Sequence, residues 1–248
     1  MKAKLPAGTV CVYVLGPDAH LADSLIVSDA ARPERLLALL HRAIDTLKVT
    51  PGEPLVPPAH QSRAPHAGPG SVVLHLTARY LERQGNDYVR MHPVLGTARS
   101  GQWAHLPSED WVVLSPAEAR KLLPAGAVRP GTTWQPDREV MARLLTHFYP
   151  PTENTDVRKN RIDEQALKAT VLAVQDGVAR ARVEGRLKMK HSFYHKDTDE
   201  FVDAPLVGIL EFAADGSAVR SFRLVTDGAT YGGTGARQHF GVAVRSEP

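Results

Sequence analysis

Val178-Ala179-Arg180-Ala181-Arg182-Val183-Glu184-Gly185-Arg186-Leu187-Lys188-Met189-Lys190-His191-Ser192-Phe193-Tyr194-His195 is the stretch that decides the fold. Successive side chains of a strand point to opposite faces of a sheet. The odd positions from 179 onward are Ala179, Ala181, Val183, Gly185, Leu187, Met189, His191, Phe193 and His195, whereas every even position from 180 to 190 is charged. An apolar face and a charged face divided this cleanly predict a long, half-buried strand.

Asp176-Gly177 just before it and Asp215-Gly216 further on are short-hairpin signals, because a primed turn needs positive φ. They set a register for strands expected near 167–174, 178–195, 201–212, 218–226 and 240–245, an antiparallel β-domain over residues 166–245. Upstream, 72–81 reads as a strand with Val72, Leu74, Leu76 and Ala78 on one face, and Gly85-Asn86-Asp87 turns the chain back through Tyr88 to Met91. Residues 111–114 form a further short strand. Ser115-Pro116-Ala117-Glu118 carries a capping box with proline at the first helical position. A longer helix after Pro136 buries Val140, Met141, Leu144, Leu145 and Phe148, and Pro150-Pro151 stops it. The polar stretch 152–164 reads as a connector.

Residues 1–50 form a smaller unit. Val10 to Leu15 is a buried strand, Gly16-Pro17-Asp18 is turn chemistry, and 22–27 returns. A helix starts at Pro33, with an apolar stripe of Leu36, Leu40, Ala43, Ile44 and Leu47 widened by Leu37. Leu5-Pro6, the Gly16-Pro17-Asp18 turn and the closing helix make residues 5–48 resemble the C-terminal half of a thioredoxin-like domain. In that family the redox cysteines lie upstream of the proline. No cysteine stands there, so the resemblance implies no thiol–disulfide chemistry, and either a remnant serving as packing or a half-domain whose natural chain begins earlier.

Between the units, Pro51, Pro54, Pro57, Pro58, Pro65 and Pro69 make residues 51–70 an extended linker, with His60 and His66 as solvent-exposed histidines. The fold class expected is therefore α+β: a hairpin–helix unit over 1–50, the linker, and a domain over 71–248 in which a helix covers a curved antiparallel meander.

Bulk properties bound the function. An apolar fraction of 43% across 248 residues supports a sizeable core, and a net charge of +3 is too small to name an anionic partner by itself. Cys11 alone excludes an intrachain disulfide, a multi-cysteine zinc site and a CxxC centre, and its place in a buried strand argues against a nucleophile. No apolar run is long enough to span a bilayer as a helix. A native N-terminus would place the protein in the cytoplasm, and a removed export signal would place it outside.

Two site hypotheses arise from the two faces of the 178–195 strand. His191 and His195 lie on the apolar side, roughly 13 Å apart on a straight strand. Bonds of about 2 Å to a divalent transition metal cannot span that distance. A site there needs a bend, or ligands such as His147, Asp197 or His239 from elsewhere. The bland alternative is two buried histidines donating to backbone carbonyls. The opposite face carries Arg180, Arg182, Arg186, Lys188 and Lys190, interrupted by Glu184. It reads as an anion-binding row or as a solvated outer face; missing aromatic interleaving argues against nucleic acid. Thr230-Tyr231-Gly232-Gly233-Thr234-Gly235 lacks the Lys-Ser/Thr of a phosphate loop and reads as a flexible turn. No hydrolase elbow, zinc-protease motif or EF-hand loop is present.

The leading expectation is an accessory protein that binds a small molecule or metal ion through the inner face of the C-terminal sheet. A metal-dependent or histidine-based enzyme and an anion-binding module are the alternatives. Oligomeric state is not legible.

Overall fold

The computed structural model describes residues 11–30, 32–50, 52, 64–91, 107–150, 156–192 and 196–247. The described residues are mostly antiparallel sheet, 51% strand against 17% helix. It divides into two compact units, 1–62 and 63–248, a boundary inside the proline-rich stretch. Most of that stretch, including His60, lies outside the described residues.

In the first unit, β1 (Cys11–Leu15) pairs antiparallel with β2 (Leu21–Ile26). A short helix α1 (Val27–Ala30) follows, then α2 (Pro33–Leu47). Proline fills the first turn of α2, and Lys48 ends it in the left-handed region, its N–H donating to the Ile44 carbonyl. The buried residues of α2 are Leu39 and Ala43, which corrects the expected stripe. Leu37 and Leu40 are about half exposed, 53% and 45%. With leucines at 36, 37, 39 and 40, two overlapping stripes fit a helical period, and packing takes the one through Leu39. Cys11 is only half-buried.

The second unit contains β3 (Val72–Gln84), β4 (Asp87–Arg90), β5 (Ser108–Leu114), α3 (Pro116–Arg120), β6 (Thr133–Trp134), α4 (Arg138–Leu145), β7 (Asn160–Gln175), β8 (Val178–His191), β9 (Phe201–Ala213), β10 (Val219–Thr226), β11 (Thr230–Gly232) and β12 (Arg237–Ser246). Strand order is β4-β3-β12-β10-β9-β8-β7-β6, with β5 on β3 and β11 between β12 and β9. The inner face of β8 behaves as its alternation predicts: Ala179, Ala181, Val183, Leu187, Met189 and His191 are each 1% exposed or less. They pack with Val140, Met141, Leu144 and Leu145 of α4 and with Phe148 and Tyr149 just beyond it. Each fully buried leucine or phenylalanine contributes roughly 1.5–3 kcal/mol.

Two glycines on that face stand where neighbouring backbone approaches closely. A Cβ on Gly185 would lie 2.1 Å from the Ala166 carbonyl oxygen, and one on Gly208 would lie 2.3 Å from that of Arg223. Neighbouring backbone occupies the space a side chain would take.

Three expectations change. The expected connector before residue 167 is instead strand from Asn160, after a single helical turn at Val157–Lys159. Its charged residues face solvent, Arg161 pairing with Asp163 at 2.7 Å, whereas Asn160 is buried and donates to the Thr146 carbonyl. The glycine-rich loop supplies β11, with Tyr231 paired to both Val202 and Gln238. Asp176-Gly177 makes the tight turn, both residues at positive φ, but at Asp215-Gly216 only the glycine is positive. That hairpin closes more widely, through the Ala213 N–H bond to the Ala218 carbonyl. No described helix is long and apolar enough to cross a membrane.

Candidate functional site: an arginine-flanked groove on the outer sheet face

The histidines named above lie on separate partners. His191 is 1% exposed; its N–H donates to the Tyr149 hydroxyl oxygen at 3.1 Å, and the two rings meet edge-on at 6.2 Å. His147 Nδ1 lies 2.6 Å from Asp110 Oδ2. His239 sits in the β11–β12 ladder opposite Thr230, tilted against Tyr88 at 5.0 Å. Asp197 is exposed, and His195 lies outside the described residues. Among the described residues no group of three or more His, Cys, Asp or Glu side chains could hold a metal ion. The inner face around His191 is filled by the protein's own core.

The basic row on β8 is largely compensated. Arg180 faces Glu211 at 3.8 Å, Arg182 pairs with Glu184 at 2.9 Å, and Lys188 reaches Glu164 at 3.5 Å. Arg186 makes a two-pronged contact with Asp203, which raises its pKa further above the usual arginine value. Lys190 donates to the Thr198 carbonyl. These contacts describe a solvated face knitted to its neighbours, except at Arg182. Its partner is two residues along the same strand and about half exposed, a geometry that contributes little.

Register places Arg182 in a row that crosses the whole sheet. It stands opposite Ile209 on β9, which stands opposite Arg223 on β10. Arg223 faces Arg245 on β12, Arg245 faces His75 on β3, and His75 faces Trp111 on β5. On each of these strands at least one flanking position is buried, and residues paired directly across a ladder share a face, so all six side chains belong to the outer face. The adjacent row contains Val207 and Val225, two apolar residues at positions where alternation calls for polar ones. Val225 is 41% exposed.

Between these rows lies a groove of about 280 Å³ lined by Arg182, Val207, Gly208, Ile209, Arg223 and Val225. Its lining is almost wholly apolar, with the side chains of Arg182 and Arg223 contributing from strands on either side of β9. Across two strand spacings of about 4.8 Å, the two arginine Cα atoms are roughly 10 Å apart. Arg245 is held by Glu247 at 3.1 Å, whereas Arg223 makes no ion pair among the described residues. The arrangement can clamp one anionic group at Arg223 while an apolar body lies over the valine and isoleucine side chains.

Of the residues singled out in the sequence, Arg182 alone lines this groove. Arg223, Val207, Ile209 and Val225 were not, although apolar side chains on the solvent side of two strands were a signal within reach. No family model, curated protein or solved structure matches this chain.

Proposed function

We propose that the second unit is an accessory binding module that takes a small amphipathic anion in the outer groove. The observation that carries this reading is Arg223, which makes no ion pair among the described residues, directly opposite a second arginine and beside an apolar floor. Like charges directly opposite on neighbouring strands cost stability, and an anion between them offsets that cost. Charge and apolar surface together favour a short-chain sulfonate, carboxylate or phosphate ester over a metal ion or a polynucleotide.

Calorimetric titration with octanesulfonate tests it, because that anion stays ionised at all working pH values. Arg223→Gln should weaken binding about tenfold, equivalent to ~1.4 kcal/mol. Val225→Glu should abolish it, and octanol should bind more weakly than the sulfonate. Equal affinity in wild type and both variants would remove the groove as the site.

The same reading takes the architecture as α+β, a hairpin–helix unit followed by a curved meander covered by α4. Burial of Val140, Met141, Leu144 and Leu145 supports the covering role. The hairpin β1–β2 followed by α2 supports reading residues 5–48 as a thioredoxin-like half serving as packing. In that case Cys11→Ser should leave octanesulfonate binding unchanged.

A further inference from the structure

Glu184 lies on β8 two residues beyond Arg182, and it is the one acid that Arg182 pairs with among the described residues, Nη2 to Oε1 at 2.9 Å. Both side chains are about half exposed, 51% and 56%. An ion pair of that kind orders two long side chains in water and contributes little, so it is easily exchanged. The ladders around Glu184 supply a second cation. Glu184 stands directly opposite Lys168 on β7 on one side and Val207 on β9 on the other. Lys168 is exposed between buried Leu167 and Ala169, which puts it on the outer face, and it makes no ion pair among the described residues. Opposite charges on directly paired residues attract, with Cβ atoms about 4.5–5.5 Å apart. Glu184 therefore stands between two cations, and only one of them lines the groove.

The two pairings leave different surfaces for a ligand. With Glu184 on Arg182, the groove offers an anion the Arg223 guanidinium alone, and a carboxylate stands beside Val207. With Glu184 turned to Lys168, the Arg182 guanidinium is released and the negative charge moves toward β7, away from the groove. Arg182 and Arg223 both line the groove, one strand to either side of Ile209. A tetrahedral head over Ile209 brings three acceptor oxygens, enough to serve both. The exchange conserves ion pairs. The ligand replaces Glu184 at Arg182, and Lys168 replaces Arg182 at Glu184.

We propose that Glu184 is an internal competitor of the groove's ligand: it holds Arg182 in the free protein, and the anion displaces it to Lys168, so that Arg182 and Arg223 close on one head group. This rests on the groove being the binding site. Affinity is then set in part by a carboxylate that does not itself line the groove.

The test is octanesulfonate affinity in a double-mutant cycle. Glu184→Gln should bind about fivefold more tightly than wild type, the small end of ordinary coupling between sites. In an Arg182→Gln background the same substitution should gain less than about twofold, because no guanidinium remains to be released. Lys168→Gln should weaken binding about twofold while Glu184 is present, since the displaced carboxylate then lacks a counter-ion, and that loss should vanish beside Glu184→Gln. All three side chains are exposed, so the variants should fold as wild type does. A carboxylate acting only through its general field would give the same gain with and without Arg182, and that result overturns the exchange. Binding that survives Arg223→Gln unchanged sinks the groove and the exchange with it. Binding weakened by Arg223→Gln but not strengthened by Glu184→Gln sinks the exchange alone.

Discussion

Arg223 on β10 and Arg245 on β12 stand directly opposite each other in an antiparallel ladder, and of the two only Arg245 pairs with a carboxylate among the described residues, Glu247 at 3.1 Å. Replacing one of the two with an acid turns a repulsive cross-strand pair into an attractive one. Arg223→Glu should therefore raise stability by about 0.5 kcal/mol in urea denaturation while removing octanesulfonate binding. High salt should narrow the gap between variant and wild type, because both side chains are solvated. A variant less stable than wild type at low salt would mean that the guanidinium contributes through packing and that no repulsion is stored there.

The close approach of neighbouring strands at Gly185 and Gly208 depends on their missing side chains, which make room for the Ala166 and Arg223 carbonyls. Neither obstacle is the end of a flexible side chain, so the strands themselves would have to part. Gly185→Ala and Gly208→Ala should each cost about 3 kcal/mol. Thermal denaturation checks this, and melting temperatures within a degree or two of wild type would show that the strands separate easily. The matched control is Gly126→Ala, where nothing lies within 4 Å of the added carbon.

How much of this could be read from the residues differs by element. The inner face of β8 was legible because a period of two runs from Ala179 to Met189 without a break, and the structure keeps it. Gly185 gave no sign that it marks a point of close strand approach, since glycine in a strand has several possible causes. The first residues of β7 were missed because Arg161, Asp163 and Glu164 are poor strand formers; pairing with β8 overrides that preference. The groove was hidden for a different reason. Arg182, Ile209, Arg223, Arg245, His75 and Trp111 become neighbours only through five separate strand registers, one joining residue 75 to residue 245. No local pattern encodes such a row.

Tyr149 and His191 give the core a polar contact that alternation could not show. The Tyr149 hydroxyl oxygen accepts the His191 N–H at the end of β8. Tyr149→Phe should remove that hydrogen bond and cost about 1 kcal/mol. Amide hydrogen exchange gives a local reading: the His191 amide should lose protection well beyond the change at Val183. Loss spread evenly over β8 would indicate general destabilisation.

At the start of α3, Ser115 and Glu118 form a reciprocal capping box. The Ser115 hydroxyl oxygen accepts from the Glu118 N–H, and the Glu118 carboxylate accepts from the Ser115 N–H and hydroxyl. Those bonds, with the Arg143 guanidinium beside the carboxylate, push the Glu118 pKa down from the ordinary 4.5 to about 2. The depressed pKa means that the folded state binds this proton less readily than the unfolded one. Its stabilising contribution is therefore complete above about pH 4.5 and disappears as the pH falls toward 2. Glu118→Gln should flatten stability against pH in that window, whereas Ser115→Ala should lower stability at neutral pH by about 1 kcal/mol. Chemical denaturation at pH 7, 4 and ~2.5 separates the two effects. An unchanged slope in Glu118→Gln would show that the carboxylate is as free to titrate in the folded protein as in the unfolded chain, leaving the Arg143 bond to the Val113 carbonyl as the tie between α4 and β5.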